Sequence, residues 1–351
     1  MSLEDTLRNT LDLAVYAPSG DNSQPWAFSI EGGVLYMFNK PESDPTLYNF
    51  KQRGSYVAHG AVVENVVLLM AEAGYEAHVT LFPGVAHCTA KISFVAAQPR
   101  PTPLVPMLTK RVTNRKPYTP TPLLHTHTNQ LATVGKTMHG ASFCIIEDSA
   151  RIQKLGKILS LNEQLLMQNR SLHDFLFSII RWTRDEELKN PGLYISTMEL
   201  PLPVRFLFKY AIRFWGVVRI LNYIGFPYVI SSQTASLYGM SGAIGVITVD
   251  AEDDEHFIAA GRVLQRVWLT ATSLGISVQP VTAIPYLAQR VRAGEADAFS
   301  KQQQDSIRVA EEAIRDIVQL HDSAHVAMIL RMGYGEQPTA QSVKMSPHFQ
   351  I

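Results

Sequence analysis

Two stretches far apart in the chain follow one pattern, and that repetition limits the available folds more than any other feature. Residues 60–74 read GAVVENVVLLMAEAG and residues 261–275 read GRVLQRVWLTATSLG. In one register Gly60/Gly261, Val62/Val263, Val66/Val267, Leu68/Leu269 and Gly74/Gly275 coincide. Each stretch is apolar around much of a helical circumference, as expected of a helix buried between two layers. Any two buried helices share Val and Leu, and Gly ends many helices. Five coincidences in fifteen positions nonetheless point to duplication, with two copies of one unit packed about a pseudo-twofold axis.

The flanking pattern places both helices in an α+β fold. Leu3, Leu7, Leu11 and Val15 recur every fourth residue and predict a helix over 3–16. AFSI and VLYMF flank Glu31-Gly32-Gly33 as a hairpin, and EAHVTLF and CTAKISFVAA follow the helix over 54–73 as strands. A Pro-rich bridge, QPRPTPLVP at 98–106, separates a first half (1–97) from a second (107–351). The second half continues with helices near 123–139 and 149–170, and ASFCIIE, AIGVITVD, SVQPV and AHVAMILRMGYG read as its strands. Strands and helices mix without βαβ alternation, so α+β is the better class than doubly wound.

Residues 203–230, PVRFLFKYAIRFWGVVRILNYIGFPYVI, are strongly apolar, yet Arg205, Lys209, Arg213 and Arg219 interrupt any membrane-spanning run. Three readings of this segment stand: a docked helix, a lid over a site, or a helix lying on a membrane surface through 203–223. The charge balance, 31 basic against 31 acidic residues, offers no global attraction for nucleic acid. Cys88 and Cys144 form no CxxC pair, and the opening MSLEDTLRNTLDLA lacks a signal-peptide layout, so a cytoplasmic setting is expected.

Two polar knots carry the chemistry. In APSGDNSQPW (17–26), five polar side chains sit on a backbone stiffened by Pro18 and Pro25, more than a plain turn requires. In KRVTNRK (110–116), Arg111 and Arg115 lie four apart, so a helical turn would aim both one way, with Thr113 between them. Two guanidiniums and a hydroxyl suit a phosphate; a solvated basic turn is the alternative. YGMSGAIG (238–245) precedes a strand rather than following one, unlike a dinucleotide fingerprint. The pairs His125/His127 and His321/His325 have no convincing third ligand, so no metal is expected. No nucleophile with an evident base stands out and no catalytic side chain is assigned. That pattern fits a protein whose cofactor supplies the reactivity.

APSGDNSQPW resembles the Ala-Pro-Ser-x-x-Asn-x-Gln-Pro-Trp signature of the FMN-binding nitroreductase superfamily. RVTNR resembles its Arg-x-Ser-x-Arg element, AGRVLQRVWLTATSLGISVQPV its central helix and the loop after it, and RMGYG with Lys344 its last strand and basic tail. The arginine element here follows the Pro-Ser signature instead of preceding it, and the layout resembles the internally duplicated, Acg-like branch, whose members carry a lid. The resemblance implies a nitroreductase-like three-layer fold whose halves pack as an intramolecular pseudo-dimer, with 171–235 as a helical lid insertion. It implies FMN held by Ser19, Asn22 and Gln24 along the ring edge and ribityl chain, with Trp26 packed beneath as core. Arg111, Thr113, Arg115 and Lys344 would hold the phosphate, and Gln279, Pro280, Val281 and Thr282 would bring a backbone N–H to the flavin N5. The implied activity is NAD(P)H-driven, ping-pong reduction of a nitroaromatic or quinone-type acceptor. The alternative is a flavin-binding or flavin-sequestering protein whose lid blocks turnover; Phe206, Phe208, Phe214 and Trp215 are the side chains expected to decide this. Family members are usually homodimers, and a homodimer stays open here.

Overall fold

The two repeated stretches become the long helices at the centre of the molecule, whose computed structural model describes residues 2–136 and 138–349. The helices are α1 (Leu3–Ala14), α2 (Arg53–Glu72), α3 (His125–Val134), α4 (Ser149–Leu159), α5 (Leu161–Gln168), α6 (Arg170–Ile179), α7 (Arg184–Lys189), α8 (Leu202–Leu207), α9 (Trp215–Tyr223), α10 (Phe226–Gly239), α11 (Asp254–Ser273), α12 (Ala283–Arg292) and α13 (Lys301–Val318). The strands are β1 (Trp26–Glu31), β2 (Val34–Asn39), β3 (Tyr75–Leu81), β4 (Cys88–Ala96), β5 (Ala141–Ile146), β6 (Ile180–Arg181), β7 (Leu193–Tyr194), β8 (Ala243–Val249), β9 (Ser277–Pro280) and β10 (His325–Gly333). Helices and antiparallel sheets coexist without alternation, so the class is α+β.

α2 and α11 cross where Gly60 meets Gly261. A Cβ on Gly60 would stand 2.0 Å from the Ile258 carbonyl oxygen, and one on Gly261 would stand 2.0 Å from that of Val57. Only glycine admits two backbones that close. The polar contacts beside the crossing are reciprocal. Gln265 Nε2 donates to Asn65 Oδ1 at 2.7 Å, while Arg266 Nε reaches the buried Glu64, which also accepts from Arg262 Nε at 2.8 Å. In the register that matches the two glycines, Glu64 corresponds to Gln265 and Asn65 to Arg266. Each residue therefore meets the counterpart of its neighbour, as contacts across a twofold do.

The sheets match as well. The first has strand order β1-β2-β4-β3 and the second β5-β8-β10-β9, both antiparallel throughout. Two strands precede the long helix and two follow it in each case. α1, α2 and the first sheet share one apolar core; α3, α11 and the second sheet share another. The connections differ. β1 and β2 are joined by Gly32-Gly33, both at positive φ (+57° and +77°), the geometry of a tight hairpin turn. Their counterparts β5 and β8 are separated by α4–α10, and β9 and β10 by α12 and α13.

Two extended segments cross between the sheets and cover their edges. Thr113 bridges Val278 on β9, and the C-terminal tail bridges β1, where Phe28 N donates to the His348 carbonyl at 2.8 Å. An edge strand covered in this way offers no row of free backbone groups. Among the described residues one helix, Phe50–Glu72, is long and apolar enough to cross a membrane, but it lies mostly buried between the layers.

Candidate functional site

The Pro-flanked signature forms a strained turn between α1 and β1. Asp21, Asn22 and Gln24 all adopt positive φ (+47°, +60°, +49°), a conformation costing on the order of 1–3 kcal/mol each outside glycine. The surroundings fix it. Gln24 N donates to Ser19 Oγ at 3.1 Å, and His59 Nε2 lies 2.8 Å from the Pro25 carbonyl. Burial lowers the His59 pKa to about 4, so the ring is neutral; with its other nitrogen 2.7 Å from Thr89 Oγ1, it donates to Pro25.

The remaining side chains of the turn grip the tail. Asn22 Nδ2 donates to the Val343 carbonyl at 2.9 Å, and its Oδ1 accepts from Lys344 Nζ at 2.9 Å. Gln24 Oε1 accepts from Met345 N at 2.9 Å. Left-handed backbone at 22 and 24 turns both carboxamides toward the tail, and Gln24 stands off the cavity described below. Trp26 is core, as expected.

The arginine stretch is extended rather than helical, a departure from the expected turn. Thr113 pairs with Val278, and Asn114 N donates to the Val278 carbonyl at 2.9 Å. Extended backbone alternates sides, so Arg111, Thr113 and Arg115 still share one face. Asn114 points the other way and bonds Ser277 Oγ and the Glu336 carbonyl. A spacing of four is thus even-numbered in a strand and one turn in a helix, and both aim the arginines together.

These pieces line two adjoining hollows. One, of about 310 Å³, has Ser19, Thr113, Arg115, Pro280, Val281 and Thr282 among its walls, with Leu264 and Trp268 of α11. The other, of about 80 Å³, is polar and gathers Ser19, Asn22, Arg111, Thr113, Arg115 and Lys344. Residues from both halves of the chain meet there. Gln279 stays outside: its Oε1 accepts from Arg331 Nη1 at 2.8 Å, and Arg331 also bonds Ser241 Oγ and the Lys116 carbonyl. Fully buried and unforeseen, Arg331 ties the arginine stretch to the strand that precedes Pro280. The Val281 N–H is taken by the Ile329 carbonyl at 2.8 Å, so it is not the open donor of this loop. Thr282 makes no side-chain cap, which leaves the Ala283 amide at the start of α12 uncapped beside the cavity.

Three cations, Arg111, Arg115 and Lys344, line the polar hollow against one carboxylate, Asp21. Arg111 is buried, donates through Nη2 to the Tyr16 carbonyl at 2.8 Å, and stacks over Trp268 at 4.5 Å. Its Nε has no partner among the described residues. Burial pushes Arg111 down to about 10, and burial followed by the neighbouring Arg111 lowers Lys344 well below its usual value. Burial also lowers Arg115, against the pull of Asp21. Glu187 lies near but is already engaged by Arg184 and the Val343 N–H.

The roof of the larger hollow comes from α6, through Phe175, Leu176 and Ile179, not from the aromatic residues expected there. Phe208 packs on Phe177 and Trp215 on His173, while Phe206 and Phe214 are exposed. Opposite lies a group that sequence reasoning missed: Asp44, Tyr48 and Tyr286. Burial, then Asp21, raises the Asp44 pKa to about 7. No cluster able to hold a metal exists among the described residues.

No protein-family model matches the chain. It is 25% identical over 353 aligned positions to an uncharacterized protein of Mycobacterium tuberculosis, covering 95% of this chain and 46% of that one. The chain thus spans about half the length of that relative. It is 20% identical to a protein of the same organism named "Putative NAD(P)H nitroreductase MT3217", covering 84% of this chain and 81% of that one. Similar solved structures include a nitroreductase with bound FMN from Bacteroides fragilis (11% identity, TM-score 0.39, 70% and 96% covered). Another is an NADPH:FMN oxidoreductase from Vibrio harveyi complexed with NAD+ (9% identity, TM-score 0.33, 68% and 70% covered). In its signature, its arginine stretch, its last strand and tail, and its curated relative, the chain resembles the FMN-binding nitroreductase superfamily.

Proposed function

We propose that the protein is an FMN-dependent NAD(P)H oxidoreductase of nitroreductase type, built from two related halves: 1–97, and 107–351 after the bridge at 98–106. The observation that carries this reading is the buried Arg111, whose Nε lacks a partner at the polar end of an apolar-walled cavity. Asp21 also lines the hollow and offsets Arg115, but Arg111 joins no ion pair among the described residues; a buried guanidinium left so calls for an anion, and a phosphate offers both the charge and the acceptors. Arg111, Arg115, Thr113 and Lys344 would hold it, and the Ser19 hydroxyl, which accepts from Gln24 N, keeps its proton to donate. Pro280, Val281 and Thr282 would border the ring, with the uncapped Ala283 amide of α12 as a donor to its edge. Asn22 and Gln24 act one step removed, by holding the tail that carries Lys344. When bound, FMN supplies reversible hydride chemistry. Leu176, Leu264 and Val281 line the cavity and would keep water from a bound ring, which NAD(P)H and a nitroaromatic or quinone-type acceptor would use in turn.

A second reading has its own observation. Phe175, Leu176 and Ile179 roof the cavity, and if they keep the ring covered the protein sequesters flavin with little turnover.

The visible spectrum of the purified protein, followed by anaerobic NADPH or NADH, tests both. A flavin band that bleaches promptly is the expected result; a band that persists selects the second reading. Arg111→Ala with Arg115→Ala should strip FMN while the circular dichroism stays unchanged. Unaltered FMN content in that variant would remove the phosphate assignment.

A further inference from the structure

The insertion carries a surface that the cavity does not use. Of seventeen large apolar side chains exposed among the described residues, eleven lie within 202–229. They include Phe206 (67% exposed), Tyr223 (86%) and Ile224 (75%), together with Leu202, Phe214 and Ile220. This is not loose chain. Its inner side is fixed by a small core of Met167, Ile212 and Val218, with Phe208 and Trp215 packed against it. The same helices therefore have a built inner face and an apolar outer one. Exposed apolar groups concentrated in this way mark an interaction site.

Charge indicates the partner. No Asp or Glu occurs from Leu200 to Val249, whereas Arg205, Lys209, Arg213 and Arg219 all fall there. None of the four joins an ion pair among the described residues. Arg205 bonds the Leu200 carbonyl and Ser196 Oγ, Lys209 lies over Trp182, and Arg213 lies over Phe214. Arg213 and Arg219 are exposed. The whole chain is balanced at 31 against 31, so this local excess belongs to one segment, and Arg213 and Arg219 bring it to the surface. A second copy of the chain placed on that face about a twofold would bring the same cations together. An anionic surface would neutralise them.

We propose that the outer side of 202–224 docks on an anionic lipid bilayer. The apolar side chains enter the boundary between headgroups and acyl chains, and Arg213 and Arg219 meet lipid phosphates. The helices there are short, six residues in α8 and nine in α9, so the segment lies on the membrane and does not cross it. This inference is independent of whether FMN is bound.

The test is co-sedimentation of the full chain with phosphatidylcholine vesicles, with and without phosphatidylglycerol. Binding is expected to the anionic vesicles alone and to fall as salt is raised. Tyr223→Glu with Ile224→Glu should abolish it. Arg213→Gln with Arg219→Gln should weaken it roughly thirtyfold. All four side chains are exposed, so circular dichroism and thermal melting should stay as in the parent. The proposal is overturned if the anionic vesicles leave the protein in the supernatant, or if both variants bind like the parent. It is also overturned if light scattering shows a dimer that the Tyr223→Glu/Ile224→Glu variant loses, since a second copy would then cover the face.

Discussion

The connections that lead into the first strand of each sheet make an instructive pair. Between α1 and β1 the chain takes residues 15–25, with three non-glycine residues in left-handed backbone, side chains reaching the tail, and the Pro25 carbonyl held by His59 of α2. Between α3 and β5 it takes residues 135–140, where Gly135 packs on Phe143 and Gly140 on His256. The first connection is elaborate and opens on the cavity; the described glycines of the second pack on β5 and α11. Strand order and the helix crossing are alike on both sides, because both cores need them. The mouths are free to differ, and among the described residues only the first contributes side chains to the cavity.

If the crossing is shared property, Gly60→Ala and Gly261→Ala should damage the protein equally. Each puts a methyl group 2.0 Å from a backbone oxygen that cannot swing aside, and each should cost at least ~3 kcal/mol by chemical denaturation. Costs that differ widely would break the equivalence of the halves.

The mouth should respond to pH. Asp44 is raised from 3.8 to about 7, so the folded state holds its proton more tightly than the unfolded chain. Stability contributed there is present at low pH, declines as pH rises from about 4 to about 7, and is gone above that window. Asp44→Asn should remove the decline, gaining on the order of 3 kcal/mol at pH 8 and almost nothing at pH 4. Melting profiles of the two proteins across this range should converge at the acid end; parallel profiles would contradict the assignment. A smaller effect is expected at the tail. Asn22→Ala removes an acceptor from Lys344 and a donor to Val343, and should cost about 1–2 kcal/mol along with some FMN affinity. Full stability and affinity in that variant would mean that the tail is held by other contacts.

Periodicity made the elements legible: the long helices, the Gly-Gly hairpin and the last strand all lie where alternation and Gly placed them. The signature and the arginines were legible as residue types, and most of them do converge. What they touch was not. Asn22 and Gln24 read as ligand groups because their partners, Val343 and Met345, lie 321 positions away. The conformation of 111–115 was ambiguous because a spacing of four satisfies strand and helix alike. His59 and Arg331 were visible only as lone polar residues in apolar runs, and their work appears once α2 lies under Pro25 and β10 beside Gln279. The roof was legible only in part: it comes from the 171–235 insertion, through α6, but Phe206, Phe208, Phe214 and Trp215 do not line the cavity, because nothing in their composition separates the helix that reaches it from those that do not.

The grip of residues 343–345 on residues 22–24 also has a consequence in time. A ribosome exposes the turn early, but the partners that hold its left-handed residues emerge only after both sheets have been made. Until then the turn has His59 and Ser19 to hold it and no tail. The cradle should therefore be among the last parts of the molecule to set, and a ligand that needs it should find no site on a chain still under synthesis.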